Sequence, residues 1–363
     1  MHILLKNLLK FQLSDDIIAR LHLALVYLSI YNKLMAKIIP EKEIPSLASE
    51  LTKTHTVYAP VIKGDETVFS EINDSAEIAL NYSQTPLPPK MYFLPANEEL
   101  FKVVDDELQK AGGIKPFIVF LNLKDLKAVN YLDKIMQKEP ADTFYLQRRS
   151  VSTLVATTES AVGSHNGSDL TLEKRNNSTY LAHSFTEKGN KILKSSLFKE
   201  APIPEKSAQE PLPNHFDELL LDSGLLAQAV EWSRENSPST WEALGKICLS
   251  CGICTYVCPL CFCTSTEDKT SIDGSECTRC RKWDACTLPR FAQVAGGHNF
   301  RPTQKDRYYN WFYHKFVRAY KEFGQAQCVA CGRCQKYCPA GIDIEKILTR
   351  LVEDYKKAHT KKT

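Results

Sequence analysis

The chain has 363 residues, 43% apolar and 25% charged, with a formal net charge of +3 from 46 basic and 43 acidic side chains. This is the composition of an ordinary folded chain of two or three domains, neither disordered nor fibrous. Charge this balanced excludes a nucleic-acid binder whose affinity rests on neutralising phosphates.

Residues 1–34 contain one apolar run, 21–31, which is too short to cross a bilayer. Asp15, Asp16 and Arg20 ahead of it make a poor signal-peptide start. The segment reads as an amphipathic helical extension, or as sequence ahead of a start at Met35, and no membrane span is expected. Residues 41–54 read as a short helix. Val57 to Phe69 reads as a hairpin around Lys63-Gly64-Asp65. Pro86, Pro88, Pro89 and Pro95 punctuate the next stretch, and 97–111 looks helical. Pro116 to Leu121 is a continuous apolar run that fits a buried strand, followed by helical periodicity from Lys124 to Lys138. Residues 151–157 suggest another strand, and Leu170 to Ser184 a second hairpin around Asn176-Asn177. Strand–helix alternation with hairpins predicts an α/β or α+β fold for residues 35–200, which we expect to be a partner-docking domain. Residues 201–215 hold four prolines and read as a linker. From Phe216 the pattern is helical, with a break near Asn236-Ser237-Pro238 and further helices at 303–323 and 343–357. No strand is expected after 215, so 216–363 is predicted to be mostly helical, ending in a basic, solvated tail.

All 13 cysteines lie between Cys248 and Cys338. Such clustering argues against a secreted disulfide scaffold, and for metal in a reducing, cytoplasmic setting. Two runs dominate: Cys248-x2-Cys251-x2-Cys254-x3-Cys258-Pro259 and Cys328-x2-Cys331-x2-Cys334-x3-Cys338-Pro339. Each has the bacterial ferredoxin spacing for a cubane iron–sulfur cluster. Three thiolates spaced by two residues wrap a loop around three corners of a cubane, and the Cys-Pro thiolate is directed away. Gly252 and Gly332 stand where the loop must turn tightly. The expected cofactors are two [4Fe–4S] clusters. Zinc is disfavoured, because it closes with four ligands and does not require this eight-cysteine register.

The runs are 70 positions apart, from Cys258 to Cys328, which suits an α-helical ferredoxin-like domain better than a compact βαββαβ one. We prefer crossed ligation. Cys248, Cys251, Cys254 and Cys338 would hold cluster 1, and Cys328, Cys331, Cys334 and Cys258 cluster 2, with the uncrossed arrangement as the alternative. Cys254-x3-Cys258-x2-Cys261 also has the spacing of a radical S-adenosylmethionine motif, but lacks the context of a substrate barrel. Cys261, Cys263, Cys277, Cys280 and Cys286 remain. They are open to three readings: a third cluster, for instance Cys277, Cys280 and Cys286 with Cys263; a zinc site; or buried packing thiols. The aromatic stretch Tyr308 to Phe316, with Phe312, Phe316, Ala319 and Phe323 at helical spacing, reads as packing over the clusters. His298 and His314 read as packed side chains. Arg301 and Arg307 are cluster-neutralising or surface charges.

The segment from Cys248 to Ile344 resembles the iron–sulfur (beta) subunit of cytoplasmic NAD(P)-linked nickel–iron hydrogenases, or sulfhydrogenases. It is similar in outline to the iron–sulfur subunit of anaerobic sulfite reductase. The matching stretches are Cys-Pro-Leu-Cys-Phe-Cys at 258–263, Arg-Lys-Trp-Asp-Ala-Cys at 281–286 and Ala-Gly-Gly-His-Asn-Phe-Arg-Pro at 295–302. Tyr313-His314-Lys315-Phe316 and the run from Cys328 through Gly341-Ile-Asp-Ile344 match as well. Lys90-Met-Tyr-Phe-Leu-Pro95 and 122–128 match more faintly. Many such proteins carry further cysteines near Lys124 and 158–168, where this chain has none. Cys277 and Cys280, conversely, are not expected from the family.

The resemblance implies a non-catalytic electron-transfer subunit. Its implied partners are a flavin-containing subunit that oxidises NAD(P)H and a hydrogenase or sulfite reductase subunit. Trp283-Asp284 and the 341–344 ending favour the hydrogenase type. The sequence offers no G-x-G-x-x-G and no P-loop for a nucleotide of its own. The alternative is an iron–sulfur redox sensor or regulator.

Overall fold

The computed structural model describes residues 35–73, 78–110, 112–159, 167–176, 178–203 and 214–360. The expected N-terminal extension, the Asn177 side of the second hairpin's turn, most of the proline-rich segment and the last three residues of the basic tail lie outside them.

An eight-stranded mixed sheet organises the first part of the chain, in the order β10-β1-β9-β8-β7-β6-β2-β3. Its strands are β1 (Met35–Pro40), β2 (Thr56–Lys63), β3 (Glu66–Glu71), β6 (Phe117–Asn122), β7 (Ser152–Thr158), β8 (Leu170–Asn176), β9 (Thr179–Ser184) and β10 (Lys199–Pro202). The central strands β2, β6, β7 and β8 run parallel, and the flanking pairs are antiparallel. Helices α1 (Ile44–Thr52), α2 (Leu123–Met136), α3 (Thr143–Val151) and α4 (Glu187–Ile192) connect them. The apolar run at 117–121 has no polar alternation because both its faces are covered. Ile118, Phe120 and Val155 point to one core with Ile44 and Leu47 of α1 and Ile192 of α4. Phe117, Val119, Leu121, Leu154 and Ala156 point to the opposite core with α2. That second core also contains Cys258, Leu260 and Cys261, so the first cysteine run is packed directly on the sheet's far layer.

The expectation of a helix at 97–111 is overturned. Residues Asn97–Val104 and Glu107–Lys110 form the hairpin β4–β5. Glu, Leu and Lys give this stretch a helical look, but Asp105 and Asp106 both adopt left-handed φ, 49° and 64°, and close a tight two-residue turn. What holds β4 extended is a partner remote in sequence, β12 (Glu276–Trp283), which pairs in turn with β11 (Thr264–Thr270). The same hairpin corrects the reading of a mostly helical segment without strands after 215. Residues 264–270, Thr-Ser-Thr-Glu-Asp-Lys-Thr, are almost wholly exposed and carry no apolar alternation to betray a strand. Arg281 ties the hairpin to the first sheet's connections, binding buried Glu98 at 2.5 Å and Asp142, while Arg148 takes the other Glu98 oxygen at 2.9 Å.

Elsewhere after 214 the elements are helical: α5 (His215–Leu221), α6 (Ser223–Asn236), α7 (Pro238–Ile247), α8 (Ile253–Tyr256), α9 (Gln304–Phe312), α10 (Ala319–Phe323), α11 (Arg333–Lys336) and α12 (Ile344–Thr360). One π-helical turn, Tyr313–Arg318, joins α9 to α10. Among the described residues no helix is long and apolar enough to cross a membrane.

Candidate metal centres

The two cysteine runs adopt the same local backbone, eighty positions apart. In each, the residue before the second cysteine is left-handed, Ser250 at φ 50° and Ala330 at φ 49°. The glycine after that cysteine is left-handed too, Gly252 at 78° and Gly332 at 73°, and begins a one-turn helix, α8 or α11. Only glycine takes that conformation without strain, and two reversals in three residues curl the loop so that its thiols face inward. The two short helices pack on each other.

That packing mixes the runs. Cys248, Cys251, Cys254 and Cys338 line one cavity with Gly252, Thr287 and Tyr308. Cys258, Cys328, Cys331 and Cys334 line a second, with Phe216, Leu260 and Lys315. Cys334 also reaches the wall of the first cavity, so the two are neighbours. Cys254 and Cys258 fall on different cavities, which separates the residues of the radical S-adenosylmethionine spacing. Among the described residues no group of three or more Cys, His, Asp or Glu converges on a single metal ion. The thiols surround a volume rather than a point.

Thiols crowded in a buried space resist ionisation. Burial, with the neighbouring Cys248 and Cys251, pushes Cys254 up to about 12. Burial likewise pushes Cys328 up to about 12, against the pull of Lys315. Cys258 is the exception. A hydrogen bond from Cys261 holds it well below an ordinary thiol, and the ammoniums of Lys315 and Lys90 add to that against the cost of burial. The Lys315 ammonium lies 3.3 Å from Cys258 Sγ and donates to Gln327 O at 2.8 Å. Burial alone would lower Lys315, but the negative charge of the Cys258–Cys261 pair outweighs it and raises it. Lys90 donates to the carbonyls of Cys261 at 2.7 Å and Thr255 at 3.2 Å, and lies 4.3 Å from the Trp283 ring centroid. Two buried lysines therefore hold the 255–261 segment.

Each run has its own anchor. At the second, buried Arg333 makes a two-pronged ion pair with buried Asp125, 2.7 and 2.8 Å, and donates to Thr85 O. Tyr82 donates to Asp125 at 2.8 Å, and Asn122 caps α2 by accepting from Asp125 N. This network fastens α11 to the end of β6. At the first run, buried Arg307 donates to the carbonyls of Thr287, Arg301 and Pro302 and to Ser250 Oγ. The aromatic stretch packs as expected, with Trp311, Phe312 and Phe316 buried and Tyr308 stacked on Trp311. His314 lies against Phe262 and His298 against Phe300.

The five other cysteines are dispersed. Cys261 pairs with Cys258, and Cys286 donates to Cys263, so each pair keeps its proton on one sulfur. Cys277 and Cys280 lie on β12, opposite Thr270 and Glu267 of the outer strand. The structure does not bring Cys277, Cys280, Cys286 and Cys263 to one metal point.

Sequence reasoning assigned no role to Lys90, Asp125, Thr287 or Arg333. Lys90, Lys315 and Arg333 sat inside the matching stretches, but a buried cation has no periodic signature, and its partners come from remote elements.

The donor set fits iron–sulfur clusters. Thr287 Oγ1 is buried on the first cavity wall with no hydrogen-bond partner among the described residues, a donor suited to a sulfur acceptor. Residues 247–342 match the family described as a 4Fe-4S dicluster domain. The chain is 29% identical over 330 residues to sulfhydrogenase 2 subunit beta of Pyrococcus furiosus, a match covering 85% of this chain and 96% of that protein. The chain resembles a hydrogenase beta subunit. Because 330 residues align, the likeness extends well beyond the cysteine-bearing segment into the α/β sheet.

Proposed function

We propose that this chain is the electron-transfer subunit of a multi-subunit oxidoreductase, relaying single electrons between a flavin-containing NAD(P)H subunit and a hydrogenase. The observation that carries this reading is the adjacency of the two cysteine cavities, which share Cys334 while only the first has an exposed cysteine, Cys251. Bound clusters would supply one-electron chemistry at each cavity. Cys248, Cys251, Cys254 and Cys338 would hold one, and Cys258, Cys328, Cys331 and Cys334 the other. The lining residues support this crossed ligation, because each cavity takes its fourth cysteine from the opposite run.

In this reading the protein's contribution is positional. The left-handed turns at Gly252 and Gly332 aim the thiols, Arg307 and Arg333 fix the two loops, and buried Tyr308, stacked on Trp311, walls the first cavity. The exposed Leu249 and Cys251 mark the side on which a partner's redox group would approach, and the α/β region would dock a second subunit. Naming a hydrogenase rather than a sulfite reductase rests on the relative's identity.

The test is isolation of the tagged chain from its own cells under strictly anaerobic conditions. Co-isolation of a flavin subunit and a nickel-containing subunit, with hydrogen-dependent reduction of NAD(P)+ that Cys331→Ser abolishes, is expected. A chain recovered alone, with clusters that answer only to oxidants, would make it a sensor instead.

A further inference from the structure

The two cavities differ in how closely a cation approaches their thiols. Among the described residues no lysine or arginine lines the first; the nearby Arg307 cation directs its donors to carbonyls and the Ser250 hydroxyl and hydrogen-bonds none of that cavity's thiols. Lys315 lines the second and is 2% exposed. Its ammonium contacts a thiol, a carbonyl and, at 5.3 Å, the Trp311 ring, with no carboxylate among these partners. The π-helical turn places Lys315 there, and Gln327 returns the contact by donating its backbone N–H to Lys315 O at 2.8 Å. The Gln327 side chain in turn donates to Leu260 O. The cation is thus fixed by both runs, at the cysteine that crosses between them.

A cluster gains one negative charge on reduction. Burial disfavours that gain, while a fixed cation hydrogen-bonded to a ligand sulfur favours it. At the first cavity the exposed Cys251 gives water access to share the added charge, whereas no cysteine of the second is exposed. We propose that Lys315 is a positioning residue that offsets the burial penalty at the centre built on Cys258, Cys328, Cys331 and Cys334. It thereby keeps the inner centre close enough in potential to the outer one for electrons to pass both ways. This rests on the two-cluster reading above.

The test uses the anaerobically purified full chain in a mediator-poised EPR titration, with the two signals first assigned by Cys251→Ser and Cys331→Ser. Lys315→Met is expected to cut the reduced-to-oxidised ratio of the inner centre about tenfold at fixed potential, about 59 mV downward for one electron. The outer centre is expected to move by less than half of that, and Lys315→Arg to restore most of the loss. Equal shifts at both centres, or none, would overturn the proposal. If Lys315→Met does not load iron, Lys315→Gln carries the same titration. Failure of both neutral variants to load while Lys315→Arg loads would make Lys315 an assembly residue, and the proposal would fall. A wild-type chain without two assignable signals would instead refute the two-cluster reading.

Discussion

The two cysteine loops share a backbone but not a setting. Both reverse direction at the same relative positions, and both open a one-turn helix with a left-handed glycine. The tip of the first loop meets solvent, with Cys251 exposed and Leu249 62% accessible. Around the second lie a buried arginine–aspartate pair, a buried lysine bonded to Gln327 O and the last residue of β6. The difference teaches that cysteine spacing prescribes a ligand loop, whereas the environment that tunes it comes from elements far away in sequence.

Removing the second loop's anchor is expected to have the largest effect. Arg333→Met leaves Asp125 buried and unpaired, at a cost of about 3–5 kcal/mol in anaerobic denaturant unfolding. Adding Asp125→Asn to it should recover part of that loss, and strictly additive losses would show that the pair is not coupled.

Acid should weigh next. Burial holds His314 down at about 4 instead of its usual 6.5, so between these values the unfolded chain binds the proton and the folded chain does not. Stability is therefore fully present above pH 6.5 and falls with pH through that window. From pH 7 to pH 5 the loss attributable to His314 is about 2 kcal/mol, and His314→Gln should remove it. An unchanged pH slope in that variant would contradict the burial of the ring.

Alanine at the two glycines compares the loops directly. A Cβ on Gly252 would stand 2.9 Å from Ala285 Cβ and Tyr256 Cε2, whereas on Gly332 its nearest neighbour would be Gln84 Oε1 at 3.5 Å. Both variants suffer the left-handed penalty of about 1–2 kcal/mol, and Gly252→Ala should lose roughly 1–3 kcal/mol more from overpacking. Equal losses in iron-loaded samples would mean that the first loop relaxes. Smallest of all, Thr287→Val should leave iron content and stability almost unchanged and shift only the outer centre's potential downward. A matching shift at the inner centre would misplace the hydroxyl.

Much of this was legible from sequence. The buried strand at 117–121 and the helices after 215 follow from local period, and the structure places them accordingly. The eight ligand-spaced cysteines stand out by their spacing alone. The hairpins β4–β5 and β11–β12 were not legible. Residues 97–104 look helical until paired with a strand that begins at Glu276, and 264–270 offer no apolar face at all. Lys315, Lys90 and the Arg333–Asp125 pair were hidden for a related reason. Each looks in sequence like a surface charge and becomes a buried one only when the cysteine segment packs against the sheet.

The most direct test of the central claim is iron and acid-labile sulfide per chain after strictly anaerobic purification, with EPR of the dithionite-reduced sample. Two centres predict roughly eight irons and eight sulfides, with two mutually interacting signals. Zinc with little or no sulfide would contradict the account.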